Sequence, residues 1–176
     1  DVFLHINSVV EVYKKLLLEI SALNSEVVVQ FDEPLFVKDI DSKILSLIKP
    51  VYDSLCSVSS NIKVVVTTYF EHSNEATKIL VNTPIWALGL DFIYGNKNIE
   101  ALEFIKNSNK VLIAGVVDGR NIWKSNFKKK IELLEKISLH INKDKLIVST
   151  SCSFLHVPFS LKYEDNLSKE IKSWLA

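Results

Sequence analysis

Five short runs of apolar, largely β-branched residues alternate with segments whose apolar residues recur every three or four positions. This double periodicity constrains the fold more than any other feature of the chain. The runs are Val27-Val-Val-Gln-Phe31, Ile62 to Phe70, Trp86 to Ile93, Lys110 to Val117 and Lys145 to Thr150. Each is too short for a core helix and predicts a strand buried on both faces. Between and around them the spacing predicts helices. Val9, Val10, Tyr13, Leu16, Leu17, Ile20 and Leu23 form the first stripe, with Asn7 or Ser8 placed to cap it. Ile44, Leu45, Leu47, Ile48, Val51, Tyr52 and Leu55 form the second, with Pro50 expected to bend or split it. Further helices are predicted from a Ser73 cap to about Leu80, from Asn98 to Ile105, from Ser125 to Ile141 and from Asn166 to Trp174. In the fifth, Phe127, Ile131, Leu134, Ile137 and Ile141 mark the expected buried side. Strands buried on both faces and separated by helices define an α/β chain with a parallel sheet.

Two architectures fit five βα units: an open doubly wound sheet, or most of a barrel that needs eight. A dinucleotide-binding sheet wants a glycine-rich turn directly after a strand. The four glycines, at 89, 95, 115 and 119, make no such motif, and Gly89 instead permits close backbone approach within a strand. Every strand end carries acids, hydroxyls or amides, as barrels do. A partial (β/α)8 TIM barrel is therefore expected, with three strands supplied by sequence upstream. No low-complexity linker interrupts residues 1–176, so they read as one domain. The chain has no methionine and opens directly into a helical pattern, which suggests a segment of a longer polypeptide.

Composition narrows the function classes. With 21 basic and 21 acidic residues the formal charge is zero, which argues against a nucleic-acid or anionic-membrane surface. Lys128, Lys129 and Lys130 are followed by Glu132 and Glu135 and read as a solvated helix face. No apolar stretch approaches a membrane span, and Asp1-Val-Phe-Leu4 does not begin a signal peptide. Cys56 and Cys152 make no disulfide framework, so a reducing cytoplasm is the expected compartment.

The strand ends hold the reactive side chains. Asp32-Glu33-Pro34 follows the first strand; Asp32 suits an ammonium group, or equally caps loop amides. Thr67-Thr-Tyr-Phe70 ends the second strand, and alternation places Thr68 with Phe70 on one side and Thr67 with Tyr69 on the other. Structural hydrogen bonding is the expected role of these hydroxyls. Asp91 interrupts an apolar strand and needs a partner or a ligand, with an intramolecular partner such as Arg120 expected. The fourth strand empties into Gly115-Val-Val-Asp-Gly-Arg-Asn-Ile-Trp123, where Asp118 and Arg120 are placed to clamp a carboxylate ligand or pair with other strand-end acids. Arg120 is the one arginine among 20 lysines, so its guanidinium geometry is required in some role. Cys152 and His156 share the last loop; they suit a nucleophile and base or metal ligands, yet four residues apart they need not meet. His5, His72 and His140 read as surface residues and Cys56 as a small core residue.

Val29 to Pro34, Thr67 to Phe70, Gly115 to Trp123 and Ser151-Cys-Ser-Phe-Leu-His-Val-Pro158, in this order, resemble cobalamin-independent methionine synthase. The match is to the second part of that family's amino-terminal domain, and Glu170 to Ala176 is similar to the start of the domain's last helix. The resemblance implies two (β/α)8 barrels related by duplication. It also implies methyl transfer from 5-methyltetrahydropteroyltriglutamate to homocysteine, with a zinc ion binding the homocysteine thiol. It places the zinc in a carboxyl-terminal barrel outside this chain, and implies a monomer at full length.

Aligning the two halves sharpens this. The zinc barrel's His-x-Cys falls on Thr68 and Phe70, its Glu on Asp91 and its last Cys on Cys152. Only Asp91 and Cys152 remain competent, so this half is expected to hold no zinc. The proton-donating His falls on Arg120, which cannot take its place because a guanidinium does not deprotonate. Asp32 matches the amino-acid-binding Asp of the other half. The family's folate contacts in this domain fall upstream of residue 1. No catalytic, cofactor-binding or metal-ligating residue is therefore expected in this chain, which serves as scaffold and partner of the zinc barrel. The alternatives are a self-standing module holding a small amino acid on Asp32, Asp91, Arg120 and Cys152, or a cofactor-free decarboxylase of the uroporphyrinogen type. The latter would need several arginines.

Overall fold

The computed structural model describes residues 2–23, 25–155 and 157–175. Five strands, β1 (Val27–Asp32), β2 (Ile62–Thr67), β3 (Ala87–Asp91), β4 (Val111–Val117) and β5 (Leu146–Thr150), form one parallel sheet in the order β1-β2-β3-β4-β5. Among the described residues six α-helices accompany them: α1 (Val2–Ser21), α2 (Ser42–Cys56), α3 (Asn74–Leu80), α4 (Asn98–Lys106), α5 (Phe127–Ser138) and α6 (Lys169–Trp174).

Strand order decides between the two architectures. Each strand lies beside its predecessor, so the winding never reverses as a doubly wound sheet must. Right-handed crossovers between successive neighbours put the connecting helices on one face. That face carries the core: Val64, Val66, Leu88, Leu90, Leu112, Ala114 and Val116 pack against Leu17, Ile48, Tyr52, Leu80, Leu102 and Ile137. The opposite face is the inner surface of a barrel segment. Register places Asp32, Thr67, Gly89, Ile113 and Ile147 side by side across it, with Asp91, Gly115 and Ser149 one row nearer the carboxyl ends.

Burial on both faces holds for β3 but not for the outer strands. β1 alternates between half-buried and exposed residues, and in β5 Ile147 is 42% and Val148 55% exposed. These two strands form the sheet edges, with a neighbour on one side only.

Several boundaries also differ from the sequence pattern. α1 starts at Val2, which leaves Asn7 and Ser8 inside it rather than at its cap. α2 runs unbroken through Pro50 because Ile48, Tyr52 and Leu55 bury on both sides of the proline; its cap is Asp41, which accepts from Lys43 N. α5 is capped by Asn126 and buries only its carboxyl-terminal part. Phe127 is 77% and Ile131 55% exposed, while Ile137 is fully buried. α6 begins at Lys169, capped by Ser168, rather than at Asn166.

Candidate functional site

The carboxyl ends of the strands surround a cleft of about 270 Å³ lined by Asp32, Thr67, Tyr69, Ser149, Ser151 and Cys152 among others. The paired carboxylates after β1 part company there. Asp32 points into the cleft and accepts a 2.8 Å hydrogen bond from Gln30 Nε2. Glu33 turns back toward the helices and accepts from the hydroxyl of the buried Tyr52 at 2.6 Å. Burial pushes the Glu33 carboxyl above its ordinary value, against the lowering effect of that hydrogen bond.

β2 ends at Thr67, three residues before the sequence pattern does, and the chain then turns sharply: Phe70 has φ +84°, the one non-glycine residue with positive φ among those described. A left-handed phenylalanine costs on the order of 1–3 kcal/mol and must be held in place by its surroundings. The turn ends the alternation that would have kept Thr68 and Phe70 on one side. Thr67 lines the cleft and lies so close to β3 that a Cβ at Gly89 would sit 2.8 Å from its Oγ1, the close approach expected of that glycine. Thr68 is buried, and its hydroxyl lies 2.9 Å from that of Ser73. Ser73, expected to cap α3 with its side chain, instead belongs to this buried hydroxyl cluster with Thr77, and its backbone N–H donates to Asn98. The Thr68 hydroxyl thus takes part in structural hydrogen bonding, while Thr67 lines the cleft.

Asp91 is fully buried and does not pair with Arg120. Its Oδ2 accepts from Phe70 N at 3.0 Å, and its Oδ1 accepts from Ile93 N at 2.7 Å and Tyr94 N at 3.0 Å. Three amides satisfy a buried carboxylate without bringing in a second charge. One of them is that of the strained residue, so Asp91 clamps the Phe70 turn to the loop after β3.

Asp118 organises the loop after β4. It accepts from the Tyr94 hydroxyl at 3.1 Å, from Arg120 N at 2.9 Å and from Asn121 Nδ2 at 2.5 Å. Gly119 N donates to Ser151 Oγ, and a Cβ there would lie 2.6 Å from the Cys152 carbonyl oxygen. The Arg120 guanidinium makes no ion pair with any described residue. It is held between two rings, 5.0 Å from the Phe70 centroid and 4.8 Å from that of Tyr94. The guanidinium carbon lies over both rings, a cation–π contact with each, and a planar delocalised cation suits such contacts well. Phe70 and Tyr94 are the partners sequence alone missed. They come from the loops after β2 and β3, and no local signal joins them to Arg120.

Cys152 is half-buried, and burial pushes its thiol up, against lowering by a hydrogen bond with Ser151; Asp91 raises it further. Such a thiol is not an activated nucleophile. Its expected companion His156 lies outside the described residues. Cys56 is half-buried against the core with its thiol pushed up to about 11, and His140 lies 2.8 Å from Glu103 on the surface. The positions aligned with zinc ligands do not fit that metal: Phe70 has no donor atom, the Thr68 hydroxyl is engaged with Ser73, and both Asp91 oxygens accept amides. Among the described residues no group of three His, Cys, Asp or Glu side chains stands close enough to hold a metal ion.

A singly wound parallel βα repeat, with its polar side chains gathered at the carboxyl ends of the strands, defines a TIM-barrel protein carrying about five of the eight units. Residues 2–142 match the family described as the cobalamin-independent synthase, N-terminal domain, and the chain belongs to that family. It is 49% identical over 164 residues to a 5-methyltetrahydropteroyltriglutamate–homocysteine methyltransferase of Desulforamulus reducens, covering 93% of this chain and 21% of that protein. The enzyme of the same name from Kali turgidum is 41% identical over 170 residues, covering 96% and 22%. The chain thus spans about a fifth of the length of these curated relatives. In three dimensions it is similar to a B12-independent methionine synthase from Shewanella sp. W3-18-1, solved in complex with selenomethionine. The TM-score is 0.68 at 18% identity, over 93% of this chain and 49% of that one. This likeness shows the shared fold.

Proposed function

We propose that the chain is a segment of a methyltransferase that transfers a methyl group from 5-methyltetrahydropteroyltri-L-glutamate to L-homocysteine, forming methionine. The observation that carries this is the 49% identity maintained over 93% of the chain with an enzyme of that name. Residues 1–176 form a single unit of the amino-terminal barrel and act as its scaffold. The zinc ion belongs to a second barrel of the same polypeptide, since Thr68, Phe70, Asp91 and Cys152 do not supply a ligand set. The complete polypeptide works as a cytoplasmic monomer; among the described residues no helix is long and apolar enough to cross a membrane.

The chain's own residues set the shape of the barrel mouth. Asp91 and Asp118 fix the loops after β2, β3 and β4, and Asp32 lines the cleft between them. The test is methionine formation by the complete polypeptide from homocysteine and the triglutamate methyl donor without added cobalamin. Production of methionine is expected, with none from residues 1–176 alone. A complete polypeptide that is folded and zinc-loaded but makes no methionine refutes the assignment.

A further inference from the structure

Tyr69 stands between two anchored points. Upstream, Thr68 is buried, its N–H donates to Gly89 O at 2.9 Å, and its hydroxyl lies 2.9 Å from that of Ser73. Downstream, the buried Ser73 donates its N–H to Asn98 and leads into α3. Phe70 lies within this short span at φ +84°, which a bulky side chain adopts only where its surroundings over-determine it. Two holds do so. Asp91 accepts from Phe70 N at 3.0 Å and fixes the Tyr69–Phe70 peptide. Arg120 lies 5.0 Å from the Phe70 centroid and favours one direction for that ring, while the Tyr94 ring keeps the arginine in place. Because the downstream chain is tied to Asn98, relaxation of Phe70 to negative φ rotates the Tyr69–Phe70 peptide and carries Tyr69 with it. Tyr69 lines the cleft with Asp32 and Cys152; burial there and these two neighbours push its hydroxyl above the ordinary value.

We propose that Tyr69 is a one-residue flap on the cleft wall, swung by the strained Phe70 turn and latched shut by Asp91 and Arg120. Contacts made in one conformer only shift the balance toward it by their own worth, so loss of a latch contact populates the open flap. The test uses the complete polypeptide and does not depend on turnover. Amide exchange at Phe70 reports the turn, exchange at Leu88 in the buried β3 reports global opening, and alkylation of Cys152 by iodoacetamide reports the cleft wall. Each alkylation rate is normalised to the thiolate fraction from its own pH profile, because Arg120 lowers the Cys152 pKa against the raising effect of burial. Arg120→Leu, at an exposed position, is expected to speed exchange at Phe70 about threefold, the factor an exposed cation–ring contact is worth. Cys152 alkylation is expected to rise with it and Leu88 to stay unchanged, and Arg120→Lys, which keeps a cation, to fall between. Phe70→Gly takes positive φ without strain and offers no ring, so Arg120→Leu added to it is expected to change nothing further. Equal Phe70 exchange in the parent and Arg120→Leu overturns the proposal. So does faster exchange with unchanged Cys152 alkylation, a matching rise at Leu88, or a full Arg120→Leu effect in Phe70→Gly.

Discussion

Replacing Asp91 by Asn tests how the mouth of this barrel is held together. The carboxylate is fully buried and accepts three backbone N–H bonds at 2.7–3.0 Å, from Phe70, Ile93 and Tyr94. An amide keeps one oxygen, which can go on accepting from Ile93 and Tyr94. Its NH2 group then faces Phe70 N, placing donor against donor. Hydrogen bonds to charged groups contribute roughly 1.5–3 kcal/mol each, and a buried donor left unpaired costs about 1–3 kcal/mol. Losing one such bond outright and the charge assistance on the other two sums to about 3–5 kcal/mol. Phe70 and Tyr94 are partly exposed, so water can reach their loops and relieve some of this cost. A net loss of about 2–3 kcal/mol is expected. The assay is urea unfolding of the complete polypeptide, with the unfolding slope checked for constancy. Amide hydrogen exchange at Phe70 should accelerate by a matching factor, since Asp91 is its acceptor. A variant within about 0.5 kcal/mol of the parent, with Phe70 still protected, would refute the assignment of Asp91 as the clamp.

Four further outcomes are expected. Gly119→Ala should cost about 1–3 kcal/mol in urea unfolding, because the new methyl meets the Cys152 carbonyl oxygen at 2.6 Å and that backbone must move; a neutral substitution contradicts the close packing of these loops. Glu33 has a carboxyl raised above its ordinary 4.5 by burial, so its contribution is present at low pH, where it is protonated, and is lost as pH rises through the raised value. Glu33→Gln, which stays neutral and can still accept from Tyr52, should therefore gain stability relative to the parent between pH 4 and pH 7; a constant difference across that range would show that Glu33 is not perturbed. The isolated 176 residues should self-associate in sedimentation experiments, because β1 and β5 are sheet edges and Val28 and Ile147 expose 53% and 42% of their surface; a sharply melting monomer would contradict this. Cys152→Ala should leave the zinc content of the complete polypeptide unchanged by elemental analysis, and loss of one equivalent would place a ligand in this half.

How legible each feature was in the sequence depends on how local its cause is. The runs at Val27, Ile62, Trp86, Lys110 and Lys145 carry their own strand signal, and all five strands form where those runs lie. The helical stripe of α2 overrides Pro50 because three large side chains bury around it. Phe127 and Ile131 share the same stripe in α5 yet remain exposed, since burial requires a neighbouring element and not only a pattern. The motif from Gly115 to Trp123 marked the family but misled about Arg120 and Asp91. Their opposite charges suggested a pair, whereas Asp91 accepts three backbone amides and Arg120 lies over the rings of Phe70 and Tyr94.

The sequence by itself determined the alternation of strand and helix, the parallel sheet and the family, because period, β-branching and motif order act over a few residues. Only the tertiary structure decided that the winding never reverses, that Glu33 leaves the cleft to Asp32, and that one arginine lies between two rings. Those outcomes depend on which strand ends come together, and that is fixed by the register of the whole sheet and not by any segment alone.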